Sequence, residues 1–135
     1  TPGFPNFFFL TGPGSPSVLS NMVLMNEEHA NWVADLIAYM DERGFASVEP
    51  TEEAACEWSE EVRKAAESLL RLEVRNYMVQ VNEDDGSRVF LPYIGGVDRY
   101  KEISEEIAAQ GYPGFTFSRP DGARLDGHAS EKAIL

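Results

Sequence analysis

The sequence predicts an α+β fold with two long helices, a shorter third helix, a few short strands and one hairpin. Apolar residues recur at helical spacing over residues 26–40 and 55–69, which indicates two amphipathic helices. An Asp-Gly pair separates two strand-like runs, 74–81 and 88–91, which is typical of a hairpin. With 135 residues, 43% of them hydrophobic, the chain has the size and composition of one domain with its own core.

The first helix is expected to begin behind a cap at Ser20, Asn21 or Asn26, because these side chains accept hydrogen bonds from the free N–H groups of a first turn. Gly44 should end it, since glycine readily adopts the left-handed conformation that follows many helices. Helical spacing predicts that its buried face consists of Asn26, Ala30, Val33, Leu36, Ile37 and Met40.

Two further helices follow from the same signals. Thr51 should cap a helix that extends to about Leu72, and Asp98 should cap a shorter one that ends at Gly111. The apolar stripe of the longer helix consists of Ala55, Trp58, Val62, Ala65, Ala66 and Leu69.

Besides the hairpin, one strand is predicted near each end of the chain. Residues 6–11 form an apolar run between Pro5 and Gly12, which is typical of a strand in a sheet covered on both faces. Few other strands are predicted, so we expect the neighbours of this strand to lie elsewhere. Residues 115–117 predict a further short strand, and residues 118–135, polar and without periodicity, predict a mobile tail.

The charge and the single cysteine exclude several classes of protein. A net charge of −12 disfavours nucleic acid and anionic membrane surfaces as partners, because both repel an acidic protein. Cys56 cannot form an intrachain disulfide, and it has no basic neighbour that would activate it as a nucleophile. No apolar run is long enough to span a bilayer, so we expect a cytoplasmic protein. The chain begins without methionine, which favours a piece of a larger protein.

A loop rich in glycine, proline and serine, residues 12–21, connects the predicted first strand to the first helix. Such a loop favours an anion or an electron-rich ring edge, because loop amides and a helix N-terminus are both positive. It is not a Walker loop, and Ser17 stands where a dinucleotide motif has its third glycine. The pattern alone is compatible with a ligand-facing loop and with a plain connection.

The remaining candidate residues are interpreted as structural. His29 lies near the start of the first helix, and His128 lies in the predicted tail without a partner in the sequence. Trp32 and Trp58 occupy helix positions where packing is the usual role. Residues 83–85 have the charge but not the spacing of a calcium-binding loop, so no metal site is predicted.

Four collinear blocks of the sequence resemble the Baeyer–Villiger flavin monooxygenases, which include phenylacetone, cyclohexanone and steroid monooxygenases. The blocks are residues 3–22 (GFPNFFFLTGPGSPSVLSNM), 28–40 (EHANWVADLIAYM), 88–100 (RVFLPYIGGVDRY) and 108–115 (AAQGYPGF). The glycine-rich nucleotide-binding motifs and the catalytic arginine of that family lie upstream of the matching part. The resemblance therefore implies that residues 1–117 are the C-terminal segment of a flavoprotein with two dinucleotide-binding domains.

The resemblance also implies a role for the loop. In the family, the loop that matches residues 14–22 packs beside the flavin and lines the substrate pocket. The parent enzyme would use FAD and NADPH to oxidise a ketone, whereas this chain alone is expected to hold neither cofactor tightly and to be inactive. Cofactor contacts are implied for Gly14, Ser15, Ser20, Asn21 and Met22, and a substrate-lining role for Pro16, Ser17, Val18 and Leu19.

One segment, residues 76–86, departs from the family pattern. Relatives carry a tryptophan there that helps to hold the nicotinamide cofactor, and Tyr77 occupies its position, so a stacking contact with NADPH is implied for Tyr77. A lysine of the family is replaced by Gly86 beside two aspartates, whose charge would repel a pyrophosphate. The two changes favour opposite conclusions about NADPH contact.

Two functions remain open at this point. In the first, the chain is the flavin- and substrate-lining part of an FAD- and NADPH-dependent monooxygenase, and its partner is an N-terminal FAD/NADPH-binding portion. In the second, it is a non-catalytic acidic binding or assembly module derived from that family. An uncovered strand at residues 7–9 predicts self-association of the separate chain, through that strand edge or through helix faces.

Overall fold

Three helices and five short strands make up the part of the chain that the computed structural model describes, residues 1–16, 20–66, 78–81, 83, 86 and 88–127. The predicted α+β class is confirmed. No helix within these ranges is long and apolar enough to cross a membrane. The helices are α1 (Met22–Arg43), α2 (Glu52–Ala66) and α3 (Val97–Ala109), and the strands are β1 (Ser47–Pro50), β2 (Val79–Val81), β3 (Arg88–Phe90), β4 (Phe115–Ser118) and β5 (Arg124–Asp126).

The two ends of α1 lie where capping signals predict them. The side chain of Asn21 accepts hydrogen bonds from the N–H groups of Val23 at 3.0 Å and Leu24 at 3.4 Å. These are among the donors that a helix N-terminus leaves without an intrahelical partner. Gly44 follows the last turn with a φ of 68°, in the left-handed region that an alanine enters only with strain.

The buried face of α1 is displaced by one residue from the predicted stripe in the first half of the helix. Met25 and His29 are buried there, whereas Asn26 and Ala30 are exposed. The displacement has a local cause, because the N–H of Thr11 donates a hydrogen bond to Nδ1 of His29 at 3.0 Å. The N-terminal segment thus covers a strip of α1 that sequence periodicity does not identify.

The main core lies between α1 and an antiparallel sheet with the strand order β1-β4-β5. Val48 of β1 is opposite Phe117 of β4, and both side chains face the helix side, where they are buried. The Tyr39 ring contacts Phe117 at a centroid distance of 5.6 Å. The buried cluster consists of Leu36, Met40, Val48, Tyr112 and Phe117.

A second, smaller cluster joins α2 to the hairpin of β2 and β3. Ala66, Val79 and Phe90 are buried there. Thr51 caps α2 as predicted, since its hydroxyl accepts a hydrogen bond from the N–H of Ala54 at 3.2 Å. The predicted continuation of this helix to residue 72 and of the strand over residues 74–77 lies outside the described residues.

The start of α3 corrects one predicted cap. Gly96, with a φ of 97°, is the N-cap residue, and no side chain caps the helix. Asp98 lies inside the first turn, where its negative charge still favours the positive end of the helix. Gly111 follows the helix at a φ of 77°, close to the predicted end.

The region predicted as a tail is in part a strand. Residues 124–126 form β5, in which Leu125 pairs with Phe117 of β4. The buried Gly127 then donates its N–H to the carbonyl of Phe115 at 2.7 Å. The sheet therefore includes the chain as far as residue 127, and the prediction of a tail from residue 118 is wrong for residues 118–127.

The predicted strand at residues 6–11 is not formed, and the segment is not buried. Phe7 and Phe9 expose 49% and 63% of their surface. Asn6 and Thr11 have φ values of 60° and 50°, which end an extended path. The prediction fails because a strand needs a neighbour: within the described residues, the N–H groups of Phe8, Phe9 and Leu10 donate no hydrogen bond.

Candidate functional site: the loop before the first helix

Two backbone hydrogen bonds to the segment after β3 hold the loop that precedes α1. The N–H of Gly14 donates to the carbonyl of Leu91 at 2.7 Å, and the N–H of Tyr93 donates to the carbonyl of Ser15 at 3.0 Å. Leu91 and Tyr93 directly follow β3, so the hairpin carries this part of the loop. The loop is therefore fixed by elements far away in the sequence and is not a free connection.

Gly14 is a position that requires glycine. Its φ is 81°, and a Cβ atom built on it would lie 2.8 Å from Nε1 of Trp58. That indole nitrogen donates a hydrogen bond to the Gly14 carbonyl at 3.1 Å. The loop thus approaches α2 more closely than a residue with a side chain would allow.

The two serine hydroxyls of the loop are used inside it. Ser15 is buried and donates to the carbonyl of Gly12 at 2.6 Å, and Ser20 donates to the carbonyl of Pro16 at 2.7 Å. Each hydroxyl can still accept a hydrogen bond, but its one donor hydrogen is already bonded to a carbonyl of the loop. In this chain, Ser15 and Ser20 set the shape of the loop.

The end of the loop is the exposed N-terminus of α1. Asn21 is exposed, and its Oδ1 atom serves as the helix cap. Met22, Val23 and Leu24 expose 50%, 76% and 48% of their surface, and the first turn contains no acidic residue. An apolar, positively polarised helix end therefore faces outward.

Six of the predicted site residues lie among the described residues of this loop or at the first residue of α1: Gly14, Ser15, Pro16, Ser20, Asn21 and Met22. The other predicted site residues, Ser17, Val18, Leu19 and Tyr77, lie outside the described residues. Within the described ranges, no group of three or more His, Cys, Asp or Glu side chains is placed to hold a metal ion.

The contacts among the aromatic side chains behind the loop are not predicted from the sequence. The Trp58 ring lies 5.2 Å from the Tyr93 ring and 5.8 Å from the Tyr100 ring, and His29 lies 5.4 Å from Tyr100. These residues come from α1, α2, α3 and the segment after β3. Their spacing in the sequence gives no signal of the contact, because each lies on a different element.

His29 fixes the start of the loop in its neutral form. It is 9% exposed, and because Nδ1 accepts the N–H of Thr11, the proton of the neutral ring lies on Nε2. Nε2 is buried and has no partner among the described residues. Burial lowers the pKa of His29, and the charge of the neighbouring Glu28 opposes this shift only in part.

We expect the free energy of unfolding to fall as the pH drops below about 6.5. In this pH range His29 becomes protonated in the unfolded chain but stays neutral in the folded chain, because its pKa is lowered there. The loss ends once the pH passes below the lowered pKa of the folded state. Urea unfolding at a series of pH values measures this slope. His29→Asn is the matched control, since its Oδ1 can replace Nδ1 as acceptor without titrating. A slope that is equal in both proteins would contradict the assignment.

No family model matches the chain, but individual proteins do. It is 36% identical over 116 residues to 2-oxo-Δ3-4,5,5-trimethylcyclopentenylacetyl-CoA monooxygenase of Pseudomonas putida, covering 84% of this chain and 21% of that enzyme. It is 31% identical over 109 residues to a Baeyer–Villiger monooxygenase of Pseudooceanicola batsensis, covering 81% of this chain and 20% of that enzyme. The chain is homologous to Baeyer–Villiger monooxygenases.

Solved structures of such monooxygenases share the fold. An oxidised steroid monooxygenase bound to NADP matches with a TM-score of 0.79 and 50% identity, over 87% of this chain and 21% of that one. OTEMO in complex with FAD and NADP matches with a TM-score of 0.77 and 34% identity, over 86% of this chain and 21% of that one. The chain thus spans about a fifth of the length of the monooxygenases it matches.

Proposed function

We propose that the chain is the flavin- and substrate-lining part of an FAD- and NADPH-dependent monooxygenase that inserts oxygen next to a ketone carbonyl. The observation that carries the proposal is the loop at Gly14 and Ser15, which two separate elements hold in place and which leads directly into the outward-facing end of α1. The homology to enzymes with bound FAD and NADP supports it.

The residues at this end of α1 fit a flavin ring. FAD and NADPH, when bound, supply the activation of oxygen and the reducing equivalents. The helix N-terminus carries about half a positive charge, which favours negative charge on a reduced ring. With no acidic residue in the first turn to cancel it, and with Met22 half exposed beside it, this end offers a polarised and apolar surface. The chain's own contribution is therefore to orient the ring and to exclude water.

The partner in this proposal is the FAD/NADPH-binding portion of the same kind of enzyme. Seven of the exposed large hydrophobic residues lie in the N-terminal segment and the first turn of α1: Phe4, Phe7, Phe9, Leu10, Met22, Val23 and Leu24. A cavity of about 410 Å³ opens behind this segment, against Trp32 and Tyr100. Exposed apolar surface of this extent is typical of an interface, and we call it the N-terminal apolar surface.

We expect the separate chain to self-associate through the N-terminal apolar surface, because the described part of the chain leaves these side chains exposed. Phe7→Ser combined with Phe9→Ser should convert the associated form into a monomer, as measured by size-exclusion chromatography with light scattering. Val89→Ser is the control, since Val89 is 50% exposed but lies on β3. A wild-type chain that stays monomeric at high concentration would contradict this prediction.

A chimeric enzyme tests the proposed function. This chain replaces the matching fifth of the steroid monooxygenase, to which it is 50% identical, and FAD content and NADPH-dependent ketone oxidation are measured. Retained FAD together with ester formation supports the proposal. A folded chimera that holds FAD but forms no ester contradicts it and favours the acidic assembly module. The separate chain, mixed with FAD and desalted, is expected to lose the flavin absorption band.

A further inference from the structure

We infer that Trp58 is a positioning residue for the flavin- and substrate-lining loop, an inference that rests on the proposed function. Its Nε1–H donates to the Gly14 carbonyl at 3.1 Å, across 44 residues of sequence. The Gly14 N–H is already bonded to the Leu91 carbonyl. Both backbone groups of Gly14 are therefore held, one by the end of the hairpin and one by a side chain of α2.

The Trp58 ring is itself held by its neighbours. It lies against Tyr93 at an interplanar angle of 33° and against Tyr100 at 64°. Tyr93 is 3% exposed, and its own N–H donates to the carbonyl of Ser15. Val62, one turn further along α2, lies 3.7 Å from the Cβ position of Gly14. The indole thus has little freedom to rotate, and its position determines that of the Gly14 carbonyl.

The position of Gly14 matters for the residues that follow it. Ser15 and Pro16 are buried and continue directly into residues 17–19, for which we propose the substrate-lining role. A shift of the Gly14 carbonyl would therefore move Ser15 and Pro16, so that Trp58 would act on the proposed substrate lining through the loop. Small displacements of this kind weaken the contacts that hold the substrate and reduce the fraction of its productive orientations.

Trp32 provides a matched control for this interaction. Its Nε1–H also donates to a backbone carbonyl, that of Ser104, at 3.0 Å. Trp32 packs against Tyr112 and Phe115 in the main core. Trp32→Phe and Trp58→Phe each remove one indole hydrogen bond to a carbonyl and keep an aromatic ring, but only Trp58→Phe releases the loop.

The first measurement uses the chimeric enzyme. Trp58→Phe should raise KM for the ketone by roughly two- to tenfold, the size of one lost hydrogen bond, and should increase the NADPH consumed without ester formation. FAD content should stay unchanged. Trp32→Phe should lower thermal stability without changing KM or the yield of ester per NADPH. Equal changes in KM for the two variants would overturn the positioning role.

The second measurement uses the chain alone, so that an inactive chimera does not decide the question. In ¹H–¹⁵N NMR spectra, Trp58→Phe should shift the amide signals of residues 11–16 and 20–22, and Trp32→Phe should leave them in place. If these amides do not move in Trp58→Phe, the indole does not position the loop and the inference is wrong. If they move while the chimera is inactive, the proposed function fails and the positioning stands.

Discussion

Gly14→Ala is expected to lower the free energy of unfolding of the chain by about 1.5–3.5 kcal/mol. An alanine at a φ of 81° costs about 1–2 kcal/mol in the backbone. The new Cβ atom would lie 2.8 Å from Nε1 of Trp58, so the indole has to move and its hydrogen bond to the Gly14 carbonyl is lost, a further loss of about 0.5–1.5 kcal/mol. Urea unfolding followed by tryptophan fluorescence measures the sum.

Gly44→Ala separates the two contributions. Gly44 has a similar φ of 68°, but its Cβ position meets nothing within 4 Å, so its replacement carries the backbone cost alone. In a Trp58→Phe background, Gly14→Ala should cost less than in the wild-type chain, because the smaller ring has no nitrogen at that point. Equal costs for the two glycines, in both backgrounds, would show that the contact with Trp58 does not constrain the loop.

The same substitution should also lower the proposed activity. In the chimera, Gly14→Ala moves the loop at the point where Ser15 and Pro16 lead into the proposed substrate lining. We expect ketone oxidation to fall by about tenfold to a hundredfold, as misplacement of about 1 Å does in other active sites. Gly44→Ala, at the far end of α1, should leave the rate within about twofold of the wild type once the protein is folded.

The two ends of α1 could be predicted from the sequence because their causes are local. Asn21 and Gly44 act through backbone groups within a few residues, so composition and spacing suffice. The hairpin was predictable for the same reason, since an Asp-Gly pair lies in the short stretch of sequence between its two strands. The predicted site at residues 14–16 and 20–22 came from family resemblance, and the structure adds that distant elements hold Gly14 and Ser15 in place.

Features with distant causes could not be predicted. The apolar run at residues 7–9 has the composition of a strand, but pairing depends on a neighbour that the described residues do not provide. Trp58 is predicted to be a packing residue, because the carbonyl that accepts its hydrogen bond lies 44 residues away and gives no local signal. The short strand β5 offers only Leu125 as an apolar signal, and its pairing with β4 and the contact of Gly127 decide its structure.

Gly127→Ala tests this last correction, and we expect it to lower the free energy of unfolding by about 2–4 kcal/mol, in the range of severe overpacking. A Cβ atom at Gly127 would lie 2.0 Å from the carbonyl oxygen of Tyr112 and 3.1 Å from that of Gly111. These are backbone atoms of the turn that places the Tyr112 side chain in the main core, where it is 2% exposed. The turn cannot yield without disturbing the core.

Gly122→Ala is the control for Gly127→Ala. Gly122 has a φ of 85° and nothing within 4 Å of its Cβ position, so its replacement should cost only the backbone strain of about 1–2 kcal/mol. Hydrogen exchange should show that Gly127→Ala also exposes the amides of β5, because the bond from Gly127 to the Phe115 carbonyl closes that end of the sheet. If Gly127→Ala costs no more than Gly122→Ala and leaves exchange unchanged, residues 118–127 behave as the tail that their composition predicts, and the sheet ends at β4.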